Sequence, residues 1–139
     1  MTTKTDSFTV TENPLSTNWT TGAANGCRAA GSGAFATAVA VCVSHWKTSD
    51  YAFANDQSAE VTITNPANFD NQGCVVRWAS TGGGVGYKAM YYHSTSQVKI
   101  ERWAAGANAA DLETIGSTTF SSGDKLKLEV TGTSLRAYK

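Results

Sequence analysis

The sequence predicts an all-β fold, a two-sheet antiparallel β-sandwich, and three observations lead to it. Several short segments alternate apolar and polar residues with period two, the pattern of a half-buried strand. Clusters of glycine, asparagine and serine separate these segments at close spacing, as in sandwiches and barrels. Charged residues make up only 16% of the chain, and much of its polarity comes from threonine, serine and asparagine, which suit pleated surfaces and turns.

The chain length, composition and net charge also limit the number of domains and the classes of partner. A chain of 139 residues with a hydrophobic fraction of 41% is expected to form one domain over residues 1–139. Eleven basic and eleven acidic residues give zero formal net charge. Because binding to phosphate needs an excess of Lys and Arg, we expect no nucleic-acid partner. No segment approaches the roughly twenty apolar residues of a membrane span, so we expect no membrane insertion.

The first half of the chain gives the weaker strand pattern. Residues 6–10 are predicted as a short first strand, and residues 22–33 as a loop with one short pairing. Residues 35–46 are predicted as a strand buried on both faces. A helix competes there because alanine favours it, but the valines at 39, 41 and 43 recur with period two.

The second half is predicted as a succession of strands separated by turns. The turns are predicted at residues 71–73, 81–84, 94–96, 121–124 and 131–133, and a loop of small residues at 104–111. The strands are predicted over residues 58–64, 74–79, 87–92, 97–103, 112–115, 126–130 and 134–139.

Cysteine, histidine and acidic residues give no metal-site pattern. Cys27, Cys42 and Cys74 form no CxxC pair, and the only histidines are His45 and His93. The cysteines form either one disulfide plus a free thiol or three buried thiols, and we expect the second. Some side chains could supply oxygen ligands to calcium, namely Asn55, Asp56, Asn68, Asp70 and Asn71. They do not form the pattern of a known calcium-binding loop, so we expect no metal and no cofactor.

A series of motifs in a fixed order runs through nearly the whole chain, from about residue 6 to residue 139. The order resembles that of concanavalin A-like, LamG-like jelly-roll domains. The motifs are Asp6-Ser7-Phe8, Pro14-Leu15, Trp19, Asn55-Asp56-Gln57, Val75-Val76-Arg77, Tyr87, Ser122-Gly123-Asp124, the alternating run 126–130 and the closing run 132–138.

One departure from this resemblance concerns the end of the chain. In such domains the strand that resembles residues 135–138 leads into an Asn-Gly turn and at least one more strand. Here the sequence ends at Lys139. Either the domain closes differently or the sequence is the N-terminal part of a longer chain, and we expect the longer chain.

Catalytic patterns known for this kind of fold are missing from the sequence. Its hydrolases carry carboxylates two residues apart on one strand, whereas Glu101, Glu113 and Glu129 each stand among non-acidic neighbours. Neither histidine lies beside a nucleophile elbow. The glycine cluster at residues 81–86 lacks the Lys-Ser/Thr of a phosphate loop and is predicted as a hairpin turn. We therefore expect no enzyme.

Strand alternation places a candidate binding face on the predicted sheet. If Val76, Trp78, Val98 and Ile100 face the core, an exposed aromatic and polar face remains, suited to stacking a sugar ring and binding its hydroxyl groups. The competing interpretation, which we favour, is that these are ordinary half-exposed sheet residues or contact a neighbouring subunit. The candidate glycan- or partner-binding residues are Arg77, Tyr92, Lys99, Glu101 and Trp103.

Domains of the type that the chain resembles occur in lectins, glycan-binding modules, some glycoside hydrolases and virion surface proteins, so the fold alone does not choose among these roles. Because catalytic patterns are missing, we expect a non-catalytic binding or structural role. The polar N-terminus without an apolar signal core, the low charge and the Thr/Ser/Gly/Asn-rich composition favour a bacteriophage virion protein, of capsid-decoration or tail-fibre type. We expect a virion-surface location, other virion subunits as partners, and cell-surface glycans as a further partner class. The alternative is an extracellular carbohydrate-binding module of a secreted polysaccharide-active enzyme.

Overall fold

The described part of the chain consists of strands, turns and short connections, without a helix. The computed structural model describes residues 19–21, 27–30, 33–36, 44–46, 55–64, 66–67, 71–79 and 84–139. No helix in these ranges is long and apolar enough to cross a membrane. The strands are β1 (Trp19–Thr21), β2 (Cys27–Ala30), β3 (Gly33–Ala36), β4 (Ser44–Trp46), β5 (Gln57–Thr62), β6 (Asn71–Ala79), β7 (Val85–Tyr92), β8 (Gln97–Ala104), β9 (Ala107–Ile115), β10 (Lys125–Thr131) and β11 (Ser134–Tyr138).

Two antiparallel sheets dominate the architecture. Sheet I has three strands in the order β11-β10-β5, and sheet II has four in the order β6-β7-β8-β9. Two short antiparallel pairs, β1 with β4 and β2 with β3, complete the described strands. Sheet II is a meander, because each of its strands pairs with the next one along the chain.

Both sheets contribute to one hydrophobic core. From sheet I it takes the alternate apolar residues of β10, Leu126, Leu128 and Val130, each at most 1% exposed. Sheet II contributes Val76, Ala89, Tyr91, Val98 and Ile100 in the same cluster. Phe120, from the connection between β9 and β10, packs on Tyr91 with ring centroids 4.7 Å apart. The arrangement is therefore β-sandwich-like, with one apolar face of each sheet turned inward.

Alternation explains why these residues form strands that share a core. In β10 the buried residues alternate with Lys125, Lys127 and Glu129 on the opposite face. Opposite β10, Val61 pairs with Leu126 and Ala59 with Leu128, so apolar side chains meet apolar side chains across the ladder. A period-two pattern of this kind fixes the register, because a slip by one residue would bury the charged set.

Most of the strands predicted in the second half are confirmed, and two predictions there are wrong. Residues 71–73 are the first residues of β6 and not a turn, because Asn71, Gln72 and Gly73 pair with Tyr92, Tyr91 and Met90. The predicted loop at residues 104–111 is mostly strand, since β9 already begins at Ala107. Its small residues are tolerated because β9 is an edge strand of sheet II in the described part of the chain.

Several predictions for the first half concern residues outside the described ranges. The strand predicted over residues 6–10 lies there entirely, as do residues 37–43 of the strand predicted over residues 35–46. The short pairing predicted within residues 22–33 involves Cys27–Ala30, which pairs with Gly33–Ala36.

Candidate functional site

The candidate site lies on the face of sheet II that points away from the core, called the outer face below. Residues directly opposite in an antiparallel ladder share a face. The ladder between β7 and β8 places Lys88 opposite Glu101 and Met90 opposite Lys99, while the core residues Ala89 and Ile100 pair on the other face. Tyr92, Lys99, Glu101 and Trp103 therefore share the outer face, as the alternation predicted.

Glu101 contacts three other side chains of this face. Its carboxylate accepts a hydrogen bond from the Tyr92 hydroxyl and one of 3.0 Å from the Trp103 indole Nε1. The Lys88 ammonium lies 3.3 Å from the same carboxylate. Glu101 is 1% exposed and Lys88 is 3% exposed, so this is a buried ion pair with hydrogen bonds to both carboxylate oxygens. Such a pair is tolerated only when its remaining hydrogen-bonding capacity is satisfied.

Trp103 contacts both members of the ion pair, and Trp78 packs against Trp103. Trp78 and Trp103 form a second buried cluster, separate from the main core, with ring centroids 6.1 Å apart. The Lys88 ammonium lies 3.7 Å from the centroid of the Trp103 ring, a cation–π arrangement. Gly86 stands opposite Trp103 in the ladder. A Cβ atom there would lie 2.9 Å from the carbonyl oxygen of Arg77 and 3.0 Å from Cε3 of Trp78, so glycine at this position makes room for the close approach of Arg77 and Trp78.

Trp78 reaches the outer face because of an irregularity in β6. The alternation predicts that Trp78 faces the main core with Val76, and this is wrong. Arg77 has a φ of +49°, in the left-handed region, and the pairing of β6 with β7 shifts register between Val76 and Ala79. The extra residue of such a bulge reverses the alternation beyond it. Trp78 consequently packs against Trp103.

The same irregularity turns Arg77 away from the other predicted site residues. Its guanidinium donates hydrogen bonds of 2.8 Å to the carbonyl of Asn55 and 2.7 Å to the carbonyl of Gly132. Its backbone N–H donates to the side chain of Gln57. Asp56 accepts from the backbone N–H of Gly132. Arg77 thus ties sheet II to the start of β5 and to the turn between β10 and β11, and it does not join the outer-face group.

A second polar group lies nearer the edge of the outer face. Lys99 forms a 2.7 Å ion pair with Asp111, and its ammonium lies 5.5 Å from the centroid of the Tyr92 ring. The Asn108 side-chain amide donates a 2.6 Å hydrogen bond to the other oxygen of Asp111. Unlike Lys88 and Glu101, this group is partly open to solvent, since the Lys99 and Asp111 side chains are 27% and 35% exposed.

The pKa shifts on this face follow from burial and from these contacts. Burial lowers the pKa of Lys88, although Glu101 acts in the opposite direction. The hydrogen bond from Lys99 lowers the pKa of Asp111, with a further contribution from Asn108, and the same bond raises the pKa of Lys99.

The five predicted site residues therefore divide into three sets. Tyr92 and Lys99 lie half-buried on the outer face as predicted. Glu101 and Trp103 lie on that face, but the predicted exposure is wrong, because Trp103 is only 9% exposed and Glu101 less. Arg77 is not on that face. Whether the outer face binds a glycan or a protein stays a prediction.

Sequence reasoning did not include Trp78, Lys88, Asp111 or Asn108 in the site. Alternation along β7 did place Lys88 on the same face as Tyr92, but Lys88 was not counted among the binding residues. Asp111 and Asn108 lay in a segment predicted as loop, which carries no alternation signal. Trp78 depends on a left-handed residue at Arg77, a conformation that the sequence does not signal because arginine rarely adopts it.

The described residues were compared with the requirements of a metal site and of a reactive thiol. Within these ranges no group of three or more His, Cys, Asp or Glu side chains is placed to hold a metal ion. Cys74 is a buried free thiol whose Sγ donates to the carbonyls of Ala59 and Leu126. Burial raises the pKa of this thiol to about 12. A thiol with such a pKa is a poor nucleophile near neutral pH.

Comparison of the chain with protein-family models, with curated proteins and with solved structures gave no match. The resemblance to concanavalin A-like domains accordingly rests on the order of the sequence motifs.

Proposed function

We propose that the chain is a non-catalytic structural or binding module on the surface of a larger assembly, of the type of a bacteriophage capsid decoration or tail fibre. In this proposal the two sheets belong to a concanavalin A-like jelly roll, and the partners are other subunits of the particle. The sequence motifs and the composition support the virion setting.

The observation that carries the proposal is where the exposed apolar side chains lie. In the described residues four large apolar side chains are more than 40% exposed: Val85, Leu112, Ile115 and Tyr138. Leu112 and Ile115 lie on β9, and Tyr138 lies on β11, which are edge strands in the described sheets. Edge strands with apolar side chains associate readily with other chains, so this surface suits protein contacts.

A second observation disfavours catalysis and an open sugar site at the centre of the outer face. Glu101 is held by Tyr92, Trp103 and Lys88 and is almost fully buried. A carboxylate that is 1% exposed is not accessible to a substrate from solvent. Trp103 likewise offers little ring surface for stacking.

Glycan binding remains a second candidate function, at the edge group of Lys99, Asp111 and Asn108. The Asp111 carboxylate lies within hydrogen-bond distance of the Lys99 ammonium and of the Asn108 amide, and the Lys99 and Asp111 side chains are partly solvent-accessible. Sugar hydroxyl groups bind to such groups. This site would serve either a virion protein that recognises cell-surface glycans or a carbohydrate-binding module.

Association with particles tests the leading proposal directly. Particles from a culture that carries the gene are separated on a density gradient, and mass spectrometry locates the chain. We expect it in the particle band, and we expect Leu112→Lys to reduce its incorporation while the matched outer-face variant Thr114→Lys does not. Recovery of the wild-type chain only in the soluble fraction would contradict the proposal. Binding on a glycan array that is lost in Asp111→Asn would support the second candidate.

A further inference from the structure

The bulge in β6 holds Arg77 in a backbone conformation that arginine disfavours. Its φ is +49°, in the left-handed region, which residues with a Cβ atom rarely adopt. Among the described residues other than glycine, Ser96, Ala105 and Ser117 also have a positive φ, but these three lie between strands, whereas Arg77 lies inside one. A strained conformation of this kind persists only where the surrounding contacts enforce it.

Hydrogen bonds from one end of sheet I hold Arg77 in place. Its backbone N–H donates to the side-chain oxygen of Gln57 at 2.8 Å, and its guanidinium donates to the carbonyls of Asn55 and Gly132. Asp56 accepts from the backbone N–H of Gly132 at 2.8 Å, which fixes the turn that carries one of these carbonyls. These five residues are called the Arg77 latch below.

The ladder between β6 and β7 shows which second conformation this segment has. Val76 pairs with Tyr87 and Ala79 with Val85, so β6 has one residue too many between these two pairs. Without the bulge, the two residues that follow Val76 would pair with the two that precede Tyr87. Because the side chains of a strand alternate with a period of two, this regular register exchanges the faces of residues 77 and 78.

The exchange of faces would change the outer face of sheet II. In the regular register Arg77 would lie on the outer face, opposite Gly86, and Trp78 on the core side with Val76. Trp103 would lose its contact with Trp78, which packs against it in the bulged register. The outer face would then be open beside Trp103 and would carry a guanidinium group.

Two positions of the ladder favour opposite registers. Gly86 suits the bulge, because a Cβ atom there would lie 2.9 Å from the carbonyl oxygen of Arg77 and 3.0 Å from Cα of Trp78. Arginine at position 77 suits the regular register, because a left-handed residue in a bulge is ordinarily glycine. The Arg77 latch supplies the contacts that decide between the two.

We propose that the end of β6 is a two-state element controlled by the Arg77 latch. With the latch formed, β6 is bulged, Trp78 packs against Trp103 and the outer face is closed. With the latch broken, β6 takes the regular register, Trp78 turns to the core side and Arg77 reaches the outer face. A contact that draws Asn55 or Gly132 away from the guanidinium favours this second state. The start of β5 and the turn between β10 and β11 thus control access to the outer face, whatever assembly the chain belongs to.

Two substitutions of Arg77 in the full chain separate the two registers. Arg77→Gly and Arg77→Val both remove the guanidinium and its bonds to Asn55 and Gly132. Glycine adopts the left-handed conformation freely, whereas a β-branched valine favours the extended one. We therefore expect Arg77→Gly to keep the bulge and Arg77→Val to adopt the regular register.

NMR of the side chains reports the register. In the wild type and in Arg77→Gly we expect nuclear Overhauser effects between the rings of Trp78 and Trp103. In Arg77→Val these should be lost, Trp78 should contact Val85 instead, and the Trp103 indole N–H should exchange at least roughly tenfold faster. Identical ring contacts and indole exchange in the two variants would overturn the proposal.

Substitution of Asp56 tests control from sheet I and decides the matter even if Arg77→Val fails to fold. Asp56→Ala removes the acceptor that fixes the turn at Gly132, and we expect faster exchange of the Trp103 indole N–H, because a broken latch releases Trp78. The matched control is Asp124→Ala, since Asp124 likewise accepts from a backbone N–H, that of Ser121 at 2.9 Å, in a different turn. This control should leave the exchange rate unchanged.

An unchanged exchange rate in Asp56→Ala, or an equal increase in both aspartate variants, would show that the latch does not control the outer face and would overturn the proposal. All of these measurements use the isolated chain. Their failure therefore leaves the proposed function to be decided by the density-gradient experiment.

Discussion

Replacement of Glu101 by glutamine tests the buried outer-face cluster most sharply. The change keeps the size of the side chain and removes its charge, which leaves the Lys88 ammonium, 3% exposed, without its counter-ion. Removing one member of a buried ion pair costs about 3–5 kcal/mol. Because the glutamine oxygen can still accept from Tyr92 or Trp103, we expect the lower end, about 3 kcal/mol. For a chain of this size that corresponds to a fall in Tm of about 10–15 °C.

The pH dependence of this loss has a definite sign. Burial already holds the pKa of Lys88 below its ordinary value of 10.5, and loss of Glu101 removes a group that raises it. Between the lowered folded pKa and the unfolded value, the unfolded chain binds more protons, so the free energy of unfolding increases with pH. The cost of Glu101→Gln should therefore be smaller at about pH 9.5 than at about pH 7, as Lys88 loses its proton in the folded variant.

Denaturant unfolding at both pH values, with Glu60→Gln as the matched control, measures this effect. Glu60 pairs with Lys125 at 2.7 Å, but both side chains are largely exposed, 46% and 62%. An exposed pair is worth about 0–1 kcal/mol. If Glu101→Gln costs no more than Glu60→Gln, the Lys88–Glu101 pair is not buried as described and the reasoning is refuted.

Three further predictions follow from the same contacts. Trp103→Ala should lower the free energy of unfolding by about 3–5 kcal/mol, because the residue is 9% exposed and its indole N–H donates a hydrogen bond to Glu101. An unchanged Tm would show that Trp103 is a surface residue. Arg77→Gly should be more stable than Arg77→Ala, because φ at this position is +49°. Both variants should be less stable than the wild type by about 1–2 kcal/mol, because the hydrogen bonds to Asn55 and Gly132 are lost. Equal stability of the two variants in urea unfolding would contradict this. In a Cys27→Ala, Cys42→Ala background, Cys74 should react with a maleimide only after unfolding at neutral pH, since burial raises its pKa to about 12; fast reaction of the folded chain would disprove its burial.

The strands of the second half could be predicted because burial on one face imposes a period of two. In β10 every second residue enters the core, so the alternation of leucine and valine with lysine and glutamate identifies the strand almost to its ends. The first half of β8 follows the same rule, with Val98 and Ile100 buried, and β5 alternates half-buried with exposed residues. The composition of the turns before β8 and before β10 added the separations, because glycine and serine adopt turn conformations at low cost.

The failures have local physical causes. β9 is exposed along almost its whole length, so no inward-facing apolar series marked it as a strand. The turn predicted at residues 71–73 is a strand because pairing with β7 outweighs the preference of asparagine and glycine for turns. The site prediction found the correct face for Tyr92, Lys99, Glu101 and Trp103, but assumed that an outward-facing residue is exposed. Two tryptophans and an ion pair bury each other there, and alternation carries no information on that.

Native-state hydrogen exchange of the Trp103 indole N–H, followed by NMR, tests the central claim that the outer face of sheet II is closed by a buried cluster. The account predicts slow exchange in the wild type, because this N–H is buried and donates to Glu101, and faster exchange in Glu101→Gln. Fast exchange of the wild-type indole, at the rate of an exposed tryptophan, would contradict the account and restore the outer face as an open binding surface.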